Sequence, residues 1–64
     1  MPIIQVHLLR GRPKSVKKEL IRNLTESTCA TLGVHPESVR VILNEMSPDH
    51  FGIAGDTAAD RRKS

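Results

Sequence analysis

The chain opens on alternation. From Ile3 to Leu9, the residues Ile4, Val6 and Leu8 fall on one side and Gln5 and His7 on the other, a period of two that predicts a strand with one apolar face. Arg10-Gly11-Arg12-Pro13 breaks the pattern as a turn, and Pro13, with a fixed φ and no N–H to lose, suits the first turn of a helix. The period then lengthens. From about Lys14 to Leu32, Val16, Leu20, Leu24 and Thr28 line up at i, i+4 steps, flanked by Ile21 and Thr31, while Lys17, Lys18, Arg22 and Glu26 lie elsewhere on the wheel. Gly33 is placed to cap this amphipathic helix, and His35-Pro36 prevents it from continuing. Alternation returns from Val39 to about Glu45, where Val39, Val41 and Leu43 interleave with Arg40, Ile42 and Asn44 in a second strand. Ser47-Pro48-Asp49 marks a turn, and Gly52 and Gly55 bracket a short segment that suits a small hairpin or an edge strand added elsewhere.

Strand, long helix, strand is a βαβ unit, whose strands run parallel across a right-handed crossover. The expected class is therefore α+β: two parallel strands, one long helix and a short C-terminal hairpin, with no second domain. Such a unit has a physical deficit, because one helix covers one sheet face and leaves the other face and both edges open. At 64 residues the chain is also short of buried surface, since folding hides only about 60% of what an unfolded chain of this size exposes. Cys29 is the single cysteine, which excludes an intrachain disulfide, and His7, His35 and His50 are too scattered for a metal site. Association with further copies is the remaining source of stability.

With 38% hydrophobic and 27% charged residues the chain is composed to fold. No apolar run approaches a membrane span, and the start has no secretory pattern, which points to a cytoplasmic protein. A net charge of +3 favours an anionic partner, either a small carboxylate or dicarboxylate or a phosphate. Nucleic acid fits less well, because Phe51 is the only aromatic residue and offers no stacking platform, and the basic residues near 60–64 read as a frayed tail.

Four residues carry candidate chemistry. Removal of Met1 turns Pro2 into a free secondary amine; an α-amino group titrates near 8, and burial with cations nearby lowers that value, so the amine becomes a general base at working pH. A retained Met1 converts it to an amide with no basicity. Arg12, in the first turn, and Arg40, near the start of the second strand, present guanidinium forks suited to carboxylates. Phe51 supplies an apolar wall. Glu45, His7 and His50 read as structural, and Cys29 as a small packing residue.

Taken together, Met1-Pro2-Ile3-Ile4-Gln5-Val6-His7, Leu9-Arg10-Gly11-Arg12, Ser38-Val39-Arg40-Val41-Ile42, Asn44-Glu45-Met46 and His50-Phe51-Gly52-Ile53 resemble the small-subunit 4-oxalocrotonate tautomerases of the tautomerase superfamily, from Pro2 to about Ala59. The resemblance implies βαβ subunits that pair into a shared four-stranded sheet and assemble as a homohexamer, a trimer of dimers, or as a heterohexamer of two similar chains. It implies a cofactor-free isomerase. Pro2 matches the family's general base, Arg12 an arginine that holds the distal carboxylate, Arg40 one that engages the 2-oxo and C1 carboxylate end, and Phe51 the aromatic residue that keeps the pocket apolar. The chain departs from the family pattern at Arg10, Pro13 and Ala54. Two other readings stay open at this level: a dehalogenase or hydratase of the same superfamily, and a catalytically silent oligomeric binding subunit.

Overall fold

The computed structural model describes residues 1–62. Strand β1 (Ile3–Leu9) leads through the Arg10–Pro13 turn into helix α1 (Lys14–Leu32), and β2 (Arg40–Met46) lies parallel to β1. A hairpin of β3 (Gly52–Ile53) and β4 (Asp56–Thr57) follows, and α2 (Ala58–Arg62) ends the described chain. Two 3₁₀ turns, Pro36–Ser38 and Pro48–His50, precede β2 and β3.

The first strand and the long helix occupy the expected residues, and the parallel pairing and the hairpin are as read from the pattern. Two expectations need correction. β2 begins at Arg40 instead of Val39 and runs to Met46, because the Val39 N–H is spent on the Pro36 carbonyl (3.1 Å), closing the 3₁₀ turn, and Met46 is the register partner of Leu9. The supposed frayed tail is helical as far as Arg62; Lys63 and Ser64 lie outside the described residues. Thr57 Oγ1 accepts from the Asp60 N–H (3.1 Å), the Ala58 N–H donates to the Phe51 carbonyl (2.8 Å), and Ala58 is buried, so a cap and a small packed residue hold this segment.

One sheet face is covered. Register places Ile4 beside Val41 and Val6 beside Leu43, all half-buried, on the same side as the half-buried Leu20, Leu24 and Thr28 stripe of α1. Thr28 enters that stripe because its hydroxyl donates back to the Leu24 carbonyl (2.7 Å). The row ends at Glu45, which accepts from Lys17 Nζ at 3.0 Å and pins the first turn of α1 over the end of β2. The opposite face, with Ile3 and Ile42, is open.

In consequence the subunit has almost no core of its own. Among the described residues only Val39 and Ala58 are buried. The accessible surface is 4939 Å², where a compact monomer of 7.1 kDa exposes about 4,100 Å². The radius of gyration is 15.0 Å, against about 11 Å for a compact chain of this length, and the molecule measures 44 × 24 × 14 Å. Among the described residues no helix is long and apolar enough to cross a membrane.

Two positions with positive φ test the backbone in opposite directions. Gly33 ends α1 at φ 69° and its N–H donates to the Cys29 carbonyl (2.9 Å), whereas Ala54 holds φ 53° in the hairpin turn, where a Cβ is unfavourable. Ala54→Gly is expected to stabilise the protein by up to about 1 kcal/mol, and Gly33→Ala to destabilise it by about 1 kcal/mol. Urea unfolding at fixed protein concentration measures both, and equal midpoints for Ala54→Gly and wild type would refute the strain at Ala54.

Candidate functional site

The four candidate residues fall into two pairs at opposite ends of the sheet. Pro2 and Arg40 meet at the strand starts, where the Arg40 N–H donates to the Pro2 carbonyl at 3.0 Å and begins the β1–β2 ladder. Pro2 is half-buried and Arg40 exposed. The Arg40 side chain is held from below: Nη1 donates to the carbonyls of Glu37 (2.6 Å) and Val39 (3.3 Å). Because a guanidinium carries five N–H groups in a fixed fork, these anchors orient the plane and leave the remaining donors for an anion.

At the strand ends, Arg12 and Phe51 share a pocket of about 300 Å³ with His7, Leu8, Leu9, Met46 and Arg62. Arg12 leaves the β1–α1 turn, and its Nη1 donates to the Leu9 carbonyl (3.1 Å), which draws the side chain back over the sheet end. Phe51 follows the second 3₁₀ turn, where Ser47 Oγ accepts from the Asp49 N–H (3.2 Å), and it is 42% exposed. Among the described residues the lining combines two arginines and His7 with leucine, methionine and phenylalanine and has no carboxylate, so it favours an anion with an apolar body.

Seven residues of β1 separate the two pairs, about 20 Å at the usual rise of a strand. One chain therefore does not bring Pro2 and Arg40 within reach of Arg12 and Phe51. Two pocket residues escaped the sequence reading. Taken singly, His7 reads as structural, although its place in the alternation sets it on the open face, and Arg62 reads as frayed tail, although Thr57 three residues before Asp60 is a helix-start signal. Glu45 is structural as expected, paired with Lys17. Cys29 lines a separate groove of about 480 Å³ with Arg22, Thr25, Glu26 and Pro36, which includes none of the four candidate residues.

Comparisons with known proteins agree with this architecture. Residues 2–61 match the family model described as tautomerase enzyme. A 2-hydroxymuconate tautomerase of Pseudomonas putida is 44% identical over 63 residues, covering 98% of this chain and 100% of that protein. Among solved structures, a 4-oxalocrotonate tautomerase isozyme from Methylibium petroleiphilum superposes with a TM-score of 0.93 at 44% identity, covering 97% of each chain. The heterohexamer 4-oxalocrotonate tautomerase from Chloroflexus aurantiacus gives a TM-score of 0.89 at 32% identity, covering 94% of this chain and 97% of that one. With a βαβ subunit of this architecture and a family match over residues 2–61, the chain belongs to the tautomerase family of enzymes.

Proposed function

We propose that this chain is a cofactor-free, cytoplasmic tautomerase that converts 2-hydroxydienoates such as 2-hydroxymuconate to the conjugated 2-oxo-enoate. The observation that carries the reading is the division of Pro2, Arg12, Arg40 and Phe51 into two half-sites at opposite ends of one parallel strand pair. Copies that associate in opposite directions bring the strand starts of one subunit beside the strand ends of another and unite the halves. The open sheet face, with Ile3 59% and Ile42 43% exposed, supplies the apolar surface for that association. The assembly is a homohexamer, a trimer of dimers with shared four-stranded sheets; a second, similar chain makes the heterohexameric variant.

In the completed site, Met1 is removed and the Pro2 amine takes the proton of the substrate's 2-hydroxyl. Electron density moves along the diene, and the same amine returns the proton to carbon, a one-base shuttle with no net change in atoms. Arg40 faces the developing negative charge at the 2-oxo and C1 carboxylate end, Arg12 holds the distal carboxylate, and Phe51 excludes water. Neighbouring cations and the apolar wall keep the amine uncharged.

Variant kinetics, a pH profile and dilution test this reading. On purified, Met-trimmed protein, Pro2→Ala should lower kcat/KM for 2-hydroxymuconate by about 10²-fold or more; a full ketonisation rate in that variant rules out the amine. Arg12→Ala should raise KM by about tenfold or more with a smaller change in kcat, the loss expected for one charge-assisted contact. The pH profile fixes the sign: the base works when unprotonated, so kcat/KM should rise with pH through a pKa below that of a free prolyl amine. Dilution supplies the third, since activity and Tm should fall together as the assembly dissociates, and native mass spectrometry should report six subunits. A fully active monomer contradicts the joined half-sites.

A further inference from the structure

The loop before β2 contains a device that the proposed chemistry has not used. His35 precedes the 3₁₀ turn Pro36–Ser38, and its Nδ1 accepts from the Glu37 N–H at 3.2 Å. The other side of the same residue is also engaged, because the Glu37 carbonyl accepts from Arg40 Nη1 at 2.6 Å. Glu37 is thereby gripped through its backbone at both groups, by an imidazole on one side and a guanidinium on the other. The turn is closed by the Ser38 N–H to the His35 carbonyl (2.9 Å) and the Val39 N–H to the Pro36 carbonyl (3.1 Å), while Pro36 fixes a backbone angle within it. The Arg40 N–H then bonds Pro2. A continuous path of hydrogen bonds runs from His35 through Glu37 to the Arg40 fork and on to the residue bearing the proposed base.

The chain uses the same design once more. Ser47-Pro48-Asp49 repeats the order of His35-Pro36-Glu37: a side-chain acceptor at the N-cap, proline next, an acidic residue donating its N–H back to the cap. At the second turn the acceptor is a serine hydroxyl, an ordinary cap. At the first it is an imidazole, which accepts only through an unprotonated ring nitrogen and is stiffer and bulkier than serine. We infer that His35 is a positioning residue for Arg40, acting through the Glu37 backbone to hold the guanidinium in its substrate-facing orientation. The inference rests on the proposed role of Arg40 and adds to it a residue that touches no substrate.

Loss of the cap frees the Pro36–Glu37 peptide, and the adjoining Glu37–Ser38 peptide, which carries the Arg40 anchor, is then held only by the Ser38 N–H on the His35 carbonyl. The Arg40 anchor then moves with it, and a guanidinium displaced by a fraction of an ångström at the developing oxyanion lowers kcat. Four variants of the full chain, assayed with 2-hydroxymuconate at matched oligomeric mass, decide the matter. His35→Ala should lower kcat about five- to tenfold with KM moved less than twofold, the scale of one lost cap contact. His35→Ser, which restores an acceptor of the kind used at Ser47, should recover most of the loss. Arg40→Ala should lose about 10²-fold in kcat/KM, and His35→Ala added to Arg40→Ala should cost nothing more, because the effect travels through that arginine. Should His35→Ala fail to assemble, His35→Leu fills the imidazole volume without an acceptor and takes its place. Wild-type kcat/KM in Arg40→Ala removes the proposed role of Arg40 and this inference with it. An impaired Arg40→Ala beside a wild-type kcat in His35→Ala overturns the positioning role alone, as does failure of His35→Ser to rescue or a full additional loss in the double variant.

Discussion

The parallel pairing of β1 with β2 constrains everything else in this chain, because it sets both strand starts at one end of the subunit and both strand ends at the other. A parallel return demands a long crossover, and α1 is that crossover. One helix covers one face, so Ile4, Val6, Val41 and Leu43 are sheltered while Ile3 and Ile42 remain open. The first rung of the ladder is the hydrogen bond from Arg40 to Pro2, so the strand geometry itself makes these two residues neighbours. The same geometry sends Arg12 and Phe51 to the far end, where the turns after β1 and β2 converge on one pocket. Exposure of the sheet and division of the site are two results of a single choice of strand direction.

Much of this was legible in the chain, and the reasons are local. β1 and α1 were readable because the apolar period switches from two to nearly four across Arg10–Pro13, and because Gly33 and Pro36 punctuate the far end. The start of β2 was not, since Val39 fits the alternation as well as Arg40 does; what separates them is where the Val39 N–H finds its acceptor, a fact about the preceding turn. The Pro36–Ser38 turn escaped for the same reason, as its N-cap depends on a side chain that reads as an isolated polar residue until the backbone brings a donor to it, whereas Ser47-Pro48-Asp49 is legible as a turn. α2 was hidden beneath the charge of Arg61 and Arg62, although Thr57 and Ala58 carried the cap and the packing.

The candidate site shows a similar boundary. Residue types and spacing pointed to Pro2, Arg12, Arg40 and Phe51, but which of them lie together is a property of register and was not visible in their order. His35 marks the limit most clearly. As a letter in the chain it is a residue before a proline, a helix stop; only the bond to Glu37 and the return bond from Arg40 give it a direction toward chemistry.

In this arrangement stability and catalysis draw on the same surface. A chain that buries only Val39 and Ala58 among its described residues has little folding free energy in reserve, so apolar area shed in the proposed association adds directly to the stability of the fold. The proposed union of half-sites carries an electrostatic cost, because it sets Arg40 beside the pocket of Arg12 and Arg62, whose lining among the described residues has no carboxylate. In that proposal a dianionic substrate relieves the repulsion at both ends at once, one carboxylate at the Arg12 side and the other at the Arg40 side. Binding and assembly are then linked in the thermodynamic sense: the ligand that satisfies the guanidinium groups favours the assembled state over separate subunits. The excess of positive charge, an unremarkable +3 when counted along the chain, becomes significant only where the parallel strands deliver it.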